Sequence, residues 1–352
     1  MIAFKDGLTI GGDSPIRVNC NIGCNKIEDI QSEISKIEFI QSCNELPDMM
    51  MDLSLIELEE PLYNYIKNNL GLPFGVVLSY HRFTKSNGYQ WEDIRDAFLQ
   101  LCYDGVSFVT IHFTADLDLL SRANQIRKIP VTSRGGGMVL YDSRINNRTQ
   151  NIFRENIDEI ANIALKHNVV ISLGTTFRPG TILDACDSVH IEETLRQLSI
   201  CRMLQSKGVK VMVENIGHIT LDKIATHSKL LSKFNAPIMP LGPLPTDAAI
   251  NEDHIANAIG ATFAAYIGCA HIINCVTRYE HSKSAITQDA IIEAIRAAKV
   301  AAHIADLSRN INKAYLYDAF ITNNRIKEHS CLTDSNNCTR CSTVCPLKLT
   351  SI

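Results

Sequence analysis

Three thiols sit at the end of the chain. Cys338, Cys341 and Cys345 lie in the run CTRCSTVCP, spaced C-x2-C-x3-C. Three thiolates on so short a loop can hold three irons of a 4Fe-4S cube and leave the fourth open for chemistry. The same run suits a structural zinc knuckle completed by Cys331 or His329, because closed tetrahedral zinc takes four ligands. A second metal could fall on His218 and His281, since neutral imidazoles are the usual ligands of zinc and iron. Taken singly, either histidine reads first as a hydrogen-bonded core residue rather than a ligand. The segment SRGGG (Ser133 to Gly137) offers a guanidinium and glycine amides that can close on a phosphate, with Arg178 as a second cation.

These residues need a scaffold, and the chain supplies an alternation of short apolar runs and longer segments of helical period. That alternation marks βα units around a parallel sheet. Strands are expected at 16–21, 49–53, 74–80, 107–112, 129–134, 169–174, 209–214, 237–242 and 271–277. Nine candidates compete for the eight staves of an α/β, TIM-type (β/α)8 barrel, and the segment before Arg134 is the one expected to be a loop extension. Helix faces are marked by Ile27, Ile30, Ile34 and Ile37, by Ile157, Ile160 and Ala164, and by Leu195, Leu198 and Leu204. The expected division is a lead-in over 1–15, the barrel over 16–285, a helical region over 286–330 and a cluster-binding tail over 331–352. Thr287 is placed to cap the first of the C-terminal helices.

Catalytic groups of such barrels lie at the C-terminal strand ends. Here the runs finish on Asn19 and Asn21, Asp52 and Ser54, Tyr80, His112, Ser133 and Arg134, Thr175 and Arg178, Glu214 and His218, and Glu280 and His281. A purely structural barrel has no reason to aim so many ionisable groups at one rim.

Composition narrows the partners. Lys and Arg number 34 against 38 Asp and Glu, a net charge of -4, so no basic stripe invites nucleic acid or an anionic membrane. Neither a membrane span nor a signal peptide is read from the sequence, which points to a cytoplasmic protein. Most of the 12 cysteines stand alone in apolar segments, as small buried hydrophobes do in a reducing compartment.

In order along the chain, VNCNIG, MMDLS, VLSY, TIH, SRGG, SLG...RPG, ENIGH, LGPLPTD and DHIANAIGA resemble the motifs of the phosphomethylpyrimidine synthase family, radical S-adenosylmethionine (SAM) enzymes that make the pyrimidine of thiamin. The resemblance runs from Arg17 to Val344. It implies a (β/α)8 homodimer in which the cysteine tail of one subunit reaches over the active site of the other. It also implies a 4Fe-4S cluster on Cys338, Cys341 and Cys345, SAM as cofactor, and a reductant such as flavodoxin or ferredoxin. Substrate contacts would fall on Asn21, Met51, Tyr80, His112, Ser133, Arg134, Gly135, Arg178 and Glu214, with Tyr80, His112 and Glu214 closest to the chemistry. A second divalent metal, zinc or iron, would sit on His218 and His281. The substrate would be 5-aminoimidazole ribotide, rearranged to 4-amino-5-hydroxymethyl-2-methylpyrimidine phosphate by a carbon-carbon lyase reaction.

The departures from the family pattern bear on the product. Only residues 1–15 precede the first motif, where the family usually has a further domain. Thr175 stands for the aspartate of SLGD, Asn215 and Ile216 for the Gly-Pro of EGPGH, TIHFT for TIHAG, and EHSKS for EHLGLP. Loss of a carboxylate from the pocket would alter what it accepts. One alternative is therefore a paralogue that makes 5-hydroxybenzimidazole from the same ribotide. Another is a metal-dependent hydrolase that activates water on His218 and His281 and keeps a structural zinc tail.

Overall fold

The computed structural model describes residues 1–283, 286–327, 330–331 and 338–350, which leaves His329 outside the described residues. The chain divides into two units, Met1–Ala305 and Asp306–Ile352.

The first unit is the barrel. After a small hairpin of β1 (Ile2–Ala3) and β2 (Thr9–Ile10), its staves are β3 (Arg17–Ile22), β4 (Met49–Asp52), β5 (Phe74–Val77), β6 (Phe108–Ile111), β7 (Val170–Leu173), β8 (Val211–His218), β9 (Ile238–Leu244) and β10 (Ile272–Asn274). They pair in parallel in the order β10-β3-β4-β5-β6-β7-β8-β9. The seam between β9 and β10 is bridged by His271, whose amide donates to the Ile238 carbonyl at 2.8 Å. Asn274 Nδ2 also crosses it, to the carbonyl of Pro240 at 2.9 Å.

Eight of the nine expected strands are staves. The ninth, 129–134, is a loop, and the reason lies far away in sequence. The Asp184 carboxylate accepts from the amides of Lys128 and Ile129 at 3.0 and 2.9 Å, Pro130 offers no donor, and Ser133 caps the helix Arg134–Ile145. The segment is thus pinned at its start by Asp184, broken at Pro130 and ended by a helix cap, which leaves little length for a ladder.

The barrel's interior layer is apolar. It gathers Met49, Met51, Val77, Phe108, Val170, Met212, Met239 and Ile272 with Phe4 and Ile10 from the hairpin. Phe4 stacks on Phe108 with centroids 5.4 Å apart, so residues 1–15 close this layer rather than merely lead in. Gly75 leaves room for the Phe108 ring, since a Cβ there would lie 2.2 Å from Cζ.

Most marked helix faces are buried, including Ile37, Ile157, Ile160, Ala164, Leu198 and Leu204. Ile27 and Leu195 are exposed, because Ile27 belongs to a short 3-10 turn before the helix Ile30–Ser42 and Leu195 faces outward. The helix Gln288–Ser308 follows Thr287, whose Oγ1 accepts from Ala290 N at 3.3 Å. Its residues Ile291, Ile295, Ala298, Ala302 and Ala305 join the core around the staves, although this helix was expected to open a separate region at 286.

The second unit holds the helix Asn312–Lys327 and, at its end, a 3-10 turn Ser342–Val344 and a short helix Pro346–Leu349. Among the described residues, no helix is long and apolar enough to cross a membrane.

Candidate functional site

The staves deliver the expected side chains to one cavity of about 730 Å³ at their C-terminal ends. Asn21, Met51, Tyr80, His112, Ser133, Arg134, Arg178, Glu214, His218 and His281 all line it, as does Glu280. Gly135 does not, and its role is different from that of a phosphate cradle. A Cβ at Gly135 would lie 2.4 Å from His112 Cε1 and 2.6 Å from Ser79 Oγ, so the glycine permits the close approach of the imidazole. The Gly136 amide is already used, donating to the Ser133 cap at 3.0 Å.

His112 follows β6 and is buried. Its Nε2 meets Ser133 Oγ at 3.0 Å, and its Nδ1 has no protein partner. Burial, with the nearby Arg178 charge, lowers it to about 3, so the ring is neutral near pH 7. Glu214, within β8, accepts from Thr110 Oγ1 at 2.7 Å and Ser172 Oγ at 3.4 Å through Oε1. Burial pushes it above the usual carboxylate range, opposed by the Thr110 bond and the Arg178 charge. Tyr80 lies in the 3-10 turn after β5, not in the strand itself, and burial raises its phenol so that it stays a donor. The Arg134 guanidinium lies 5.4 Å from the Tyr80 ring centroid and bonds Asn25 Oδ1 at 3.1 Å. Arg178 is anchored on the Thr175 carbonyl at 3.1 Å.

His218 and His281 meet on the other side of the cavity, their rings edge to face with centroids 4.9 Å apart. His218 Nδ1 bonds Asp247 at 2.6 Å and His281 Nδ1 bonds Asp253 at 3.0 Å. With Nδ1 occupied by a carboxylate, each ring keeps its lone pair on Nε2, the arrangement found around metal-bound histidine. Burial also lowers His218, against the pull of Asp247. The donor set fits a divalent zinc or iron ion. Asp247 and Asp253 stand in the motifs LGPLPTD and DHIANAIGA, but their task shows only once loops and helix are folded against the rim.

Several strand-end residues do other work. Asp52 accepts from Ser54 and the Tyr63 amide and does not line the cavity. Asn19 donates to Asn21 and Asn274. Thr175 and Asn215, expected to change the pocket, do not line it. Thr175 donates to buried Glu193 at 2.6 Å, and Asn215 points between two helices outside the barrel wall. Lys36 and Glu33, an ion pair on the helix Ile30–Ser42, line the cavity without having been singled out in the sequence.

In the second unit, Cys338, Cys341 and Cys345 are unpaired, half-buried thiols on consecutive turns. Val344 N bonds the Cys341 carbonyl at 3.1 Å, and Cys345 precedes the helix Pro346–Leu349 whose Leu349 amide bonds its carbonyl at 2.9 Å. Three free thiols within eight residues are the donor type that an iron-sulfur cube with one open iron takes.

Known proteins resemble this chain in sequence. The phosphomethylpyrimidine synthase of Sulfurisphaera tokodaii is 34% identical over 329 residues, covering 90% of this chain and 75% of its own. That of Thermotoga petrophila is 31% identical over 318 residues, covering 88% and 74%. That of Caldanaerobacter subterraneus is 34% identical over 317 residues, covering 87% and 72%. A sequence model described as the Radical SAM ThiC family matches residues 4–331, and the chain is a member of that family, which brings a 4Fe-4S cluster and SAM with it.

Proposed function

We propose that this enzyme rearranges 5-aminoimidazole ribotide to 4-amino-5-hydroxymethyl-2-methylpyrimidine phosphate for thiamin, as a homodimer driven by a one-electron donor such as flavodoxin or ferredoxin. The observation that carries this reading is the cavity rim, where two arginines, a neutral imidazole and a carboxylate above its usual range surround a space of ribotide size. The named relatives support the same substrate class.

Cys338, Cys341 and Cys345 would hold the 4Fe-4S cluster, which together with SAM supplies a carbon radical able to abstract hydrogen from the ribose. Arg134, at the N-terminus of a 12-residue helix, and Arg178 would bind the phosphate, with the helix dipole adding to their charge. Tyr80 would donate a hydrogen bond to the sugar. His112 would present a neutral imidazole to the substrate, and Glu214 can take or give a proton at the carboxylate oxygen that neither Thr110 nor Ser172 engages. His218 and His281 would hold a divalent metal through Nε2. The apolar layer beneath keeps water from the reacting sugar.

Anaerobic reconstitution with SAM, dithionite and aminoimidazole ribotide, followed by mass analysis, tests the reading. The phosphorylated pyrimidine supports it, 5-hydroxybenzimidazole assigns the other product, and turnover without SAM cleavage overturns the radical chemistry. Ala at Cys338, Cys341 or Cys345 should abolish 5'-deoxyadenosine formation and leave the barrel folded. A colourless protein after anaerobic purification and iron-sulfide reconstitution would favour the hydrolase instead.

A further inference from the structure

Outside the barrel wall, behind β8, three further side chains come together. Cys186 lies in the turn before the helix Ser188–Ser206, His190 in that helix's first turn, and His227 on the helix Leu221–Leu231. One ligand atom from each lies within 4.8 Å of the other two. The imidazoles are stacked, with centroids 4.2 Å apart and planes 24° from parallel.

A chain of amides fixes the protons on these rings. Gln197 Nε2 donates to the carbonyls of Leu173, Gly174 and Glu214, so its Oε1 must be the acceptor for Asn215 Nδ2, at 2.9 Å. Asn215 Nδ2 also meets Thr194 Oγ1, and the Ile216 amide donates to Asn215 Oδ1 at 2.7 Å. That oxygen then faces His190 Nε2 at 3.3 Å and His227 Nε2 at 3.0 Å. A carbonyl oxygen only accepts, so both rings carry their proton on Nε2 and their lone pair on Nδ1. His190 Nδ1 accepts from the Cys186 N–H at 3.3 Å, a long bond that a metal would have to displace, and among the described residues His227 bonds through Nε2. Cys186 itself is held at φ +61°, a left-handed conformation that non-glycine residues adopt at a cost.

We propose that Cys186, His190 and His227 form a zinc site, distinct from the His218 and His281 pair and from the cysteine tail. Its protein ligands are Cys186 Sγ and the Nδ1 atoms of His190 and His227, with water in the fourth position. One thiolate and two imidazoles suit zinc, and the absence of a carboxylate from the cluster disfavours calcium and magnesium. Asn215 is the positioning residue, doing for both rings what a carboxylate or carbonyl does behind a zinc-bound histidine. The family motif EGPGH has glycine at this position and therefore no side chain to orient them. The site would clamp two helices together directly behind Glu214. It is independent of the radical reaction proposed above.

Crystals of the full-length, cluster-loaded protein soaked in zinc chloride test this with the native chain. Anomalous maps on either side of the zinc edge should show a peak ~2.0–2.3 Å from Cys186 Sγ and both rings. A filled His218 and His281 site with no peak here overturns the proposal. In solution, chelator competition should show one zinc equivalent fewer in Cys186→Ser. Asn215→Gly should bind that same zinc about 10- to 100-fold more weakly, with the other metals unchanged. Unchanged zinc content in Cys186→Ser overturns the site, and unchanged affinity in Asn215→Gly overturns the role of Asn215.

Discussion

His218 and His281, brought from β8 and from the turn after β10, face each other edge to face at 4.9 Å, and each is held at Nδ1 by a different aspartate. Asp247 is itself fixed, since its second oxygen accepts from Thr181 Oγ1 at 2.7 Å and from the Ile182 amide at 3.0 Å. The two imidazoles are therefore aligned before any ion arrives.

Removing that alignment should weaken metal binding without touching a ligand. Asp247→Ala is expected to lower zinc or iron affinity at the histidine pair by about 10- to 100-fold, while His218→Ala abolishes binding there. Isothermal titration with the cluster already loaded reads both. Equal affinity in wild type and Asp247→Ala would mean that the aspartate only ties down its loop.

Glycines flank His112 on two sides. A Cβ at Gly135 would lie 2.4 Å from its Cε1, and one at Gly174 would lie 2.9 Å from its Cδ2, whereas one at Gly137 meets nothing within 4 Å. Gly135→Ala should displace the ring and cost about 1–3 kcal/mol, together with most of the ribotide turnover. Gly137→Ala, in the same helix, should gain about 0.5–1 kcal/mol and keep activity. Thermal melts of the two variants should move in opposite directions, and parallel shifts would count against this account of the SRGGG segment.

Much of the barrel is legible in the sequence because parallel staves are buried on both faces and read as short apolar runs. The false stave at 129–134 has the same look. Only the folded chain shows that Asp184, more than fifty residues on, takes the amides of Lys128 and Ile129 at its start. The rim is legible for a related reason, as barrel strands end on their polar groups. Reading neighbours together fails there: successive strand residues point to opposite faces, so Glu214 enters the cavity while Asn215 leaves it. Thr175 likewise turns to Glu193, a helix residue with no motif to announce it. Phe4 and Ile10 were hidden because a two-residue strand carries no periodicity.

Acid should destabilise the barrel through His112. Burial and then Arg178 lower this group from its ordinary 6.5 to about 3. As pH falls below 6.5 the unfolded chain takes up a proton there that the fold refuses until about 3. The stability that comes from the neutral ring is thus complete above the higher value and is lost toward the lower one, at about 1.4 kcal/mol per pH unit. His81, held to about 4 mainly by burial, acts in the same direction. Melting curves across this window should fall less steeply for His112→Asn than for wild type. Identical slopes would show that the ring does not resist protonation in the fold.

Arg134 offers the sharpest test of where phosphate sits. Its guanidinium lies over Tyr80 at the mouth of the cavity, it begins a 12-residue helix, and the Gly136 amide beside it is committed to Ser133. In the reading proposed above the anion would therefore be held by the arginine side chain rather than by a glycine cradle. A charge-assisted contact of this kind contributes about 1.5–3 kcal/mol, or about ten- to a hundredfold in affinity. Arg134→Ala should weaken binding of the ribotide by that factor and leave the unphosphorylated riboside almost unaffected, with each affinity read by calorimetry. Equal losses for both ligands would place Arg134 in a supporting role for Tyr80 and would move the phosphate toward Arg178, where it and the Glu214 carboxylate would compete for the same half-buried guanidinium.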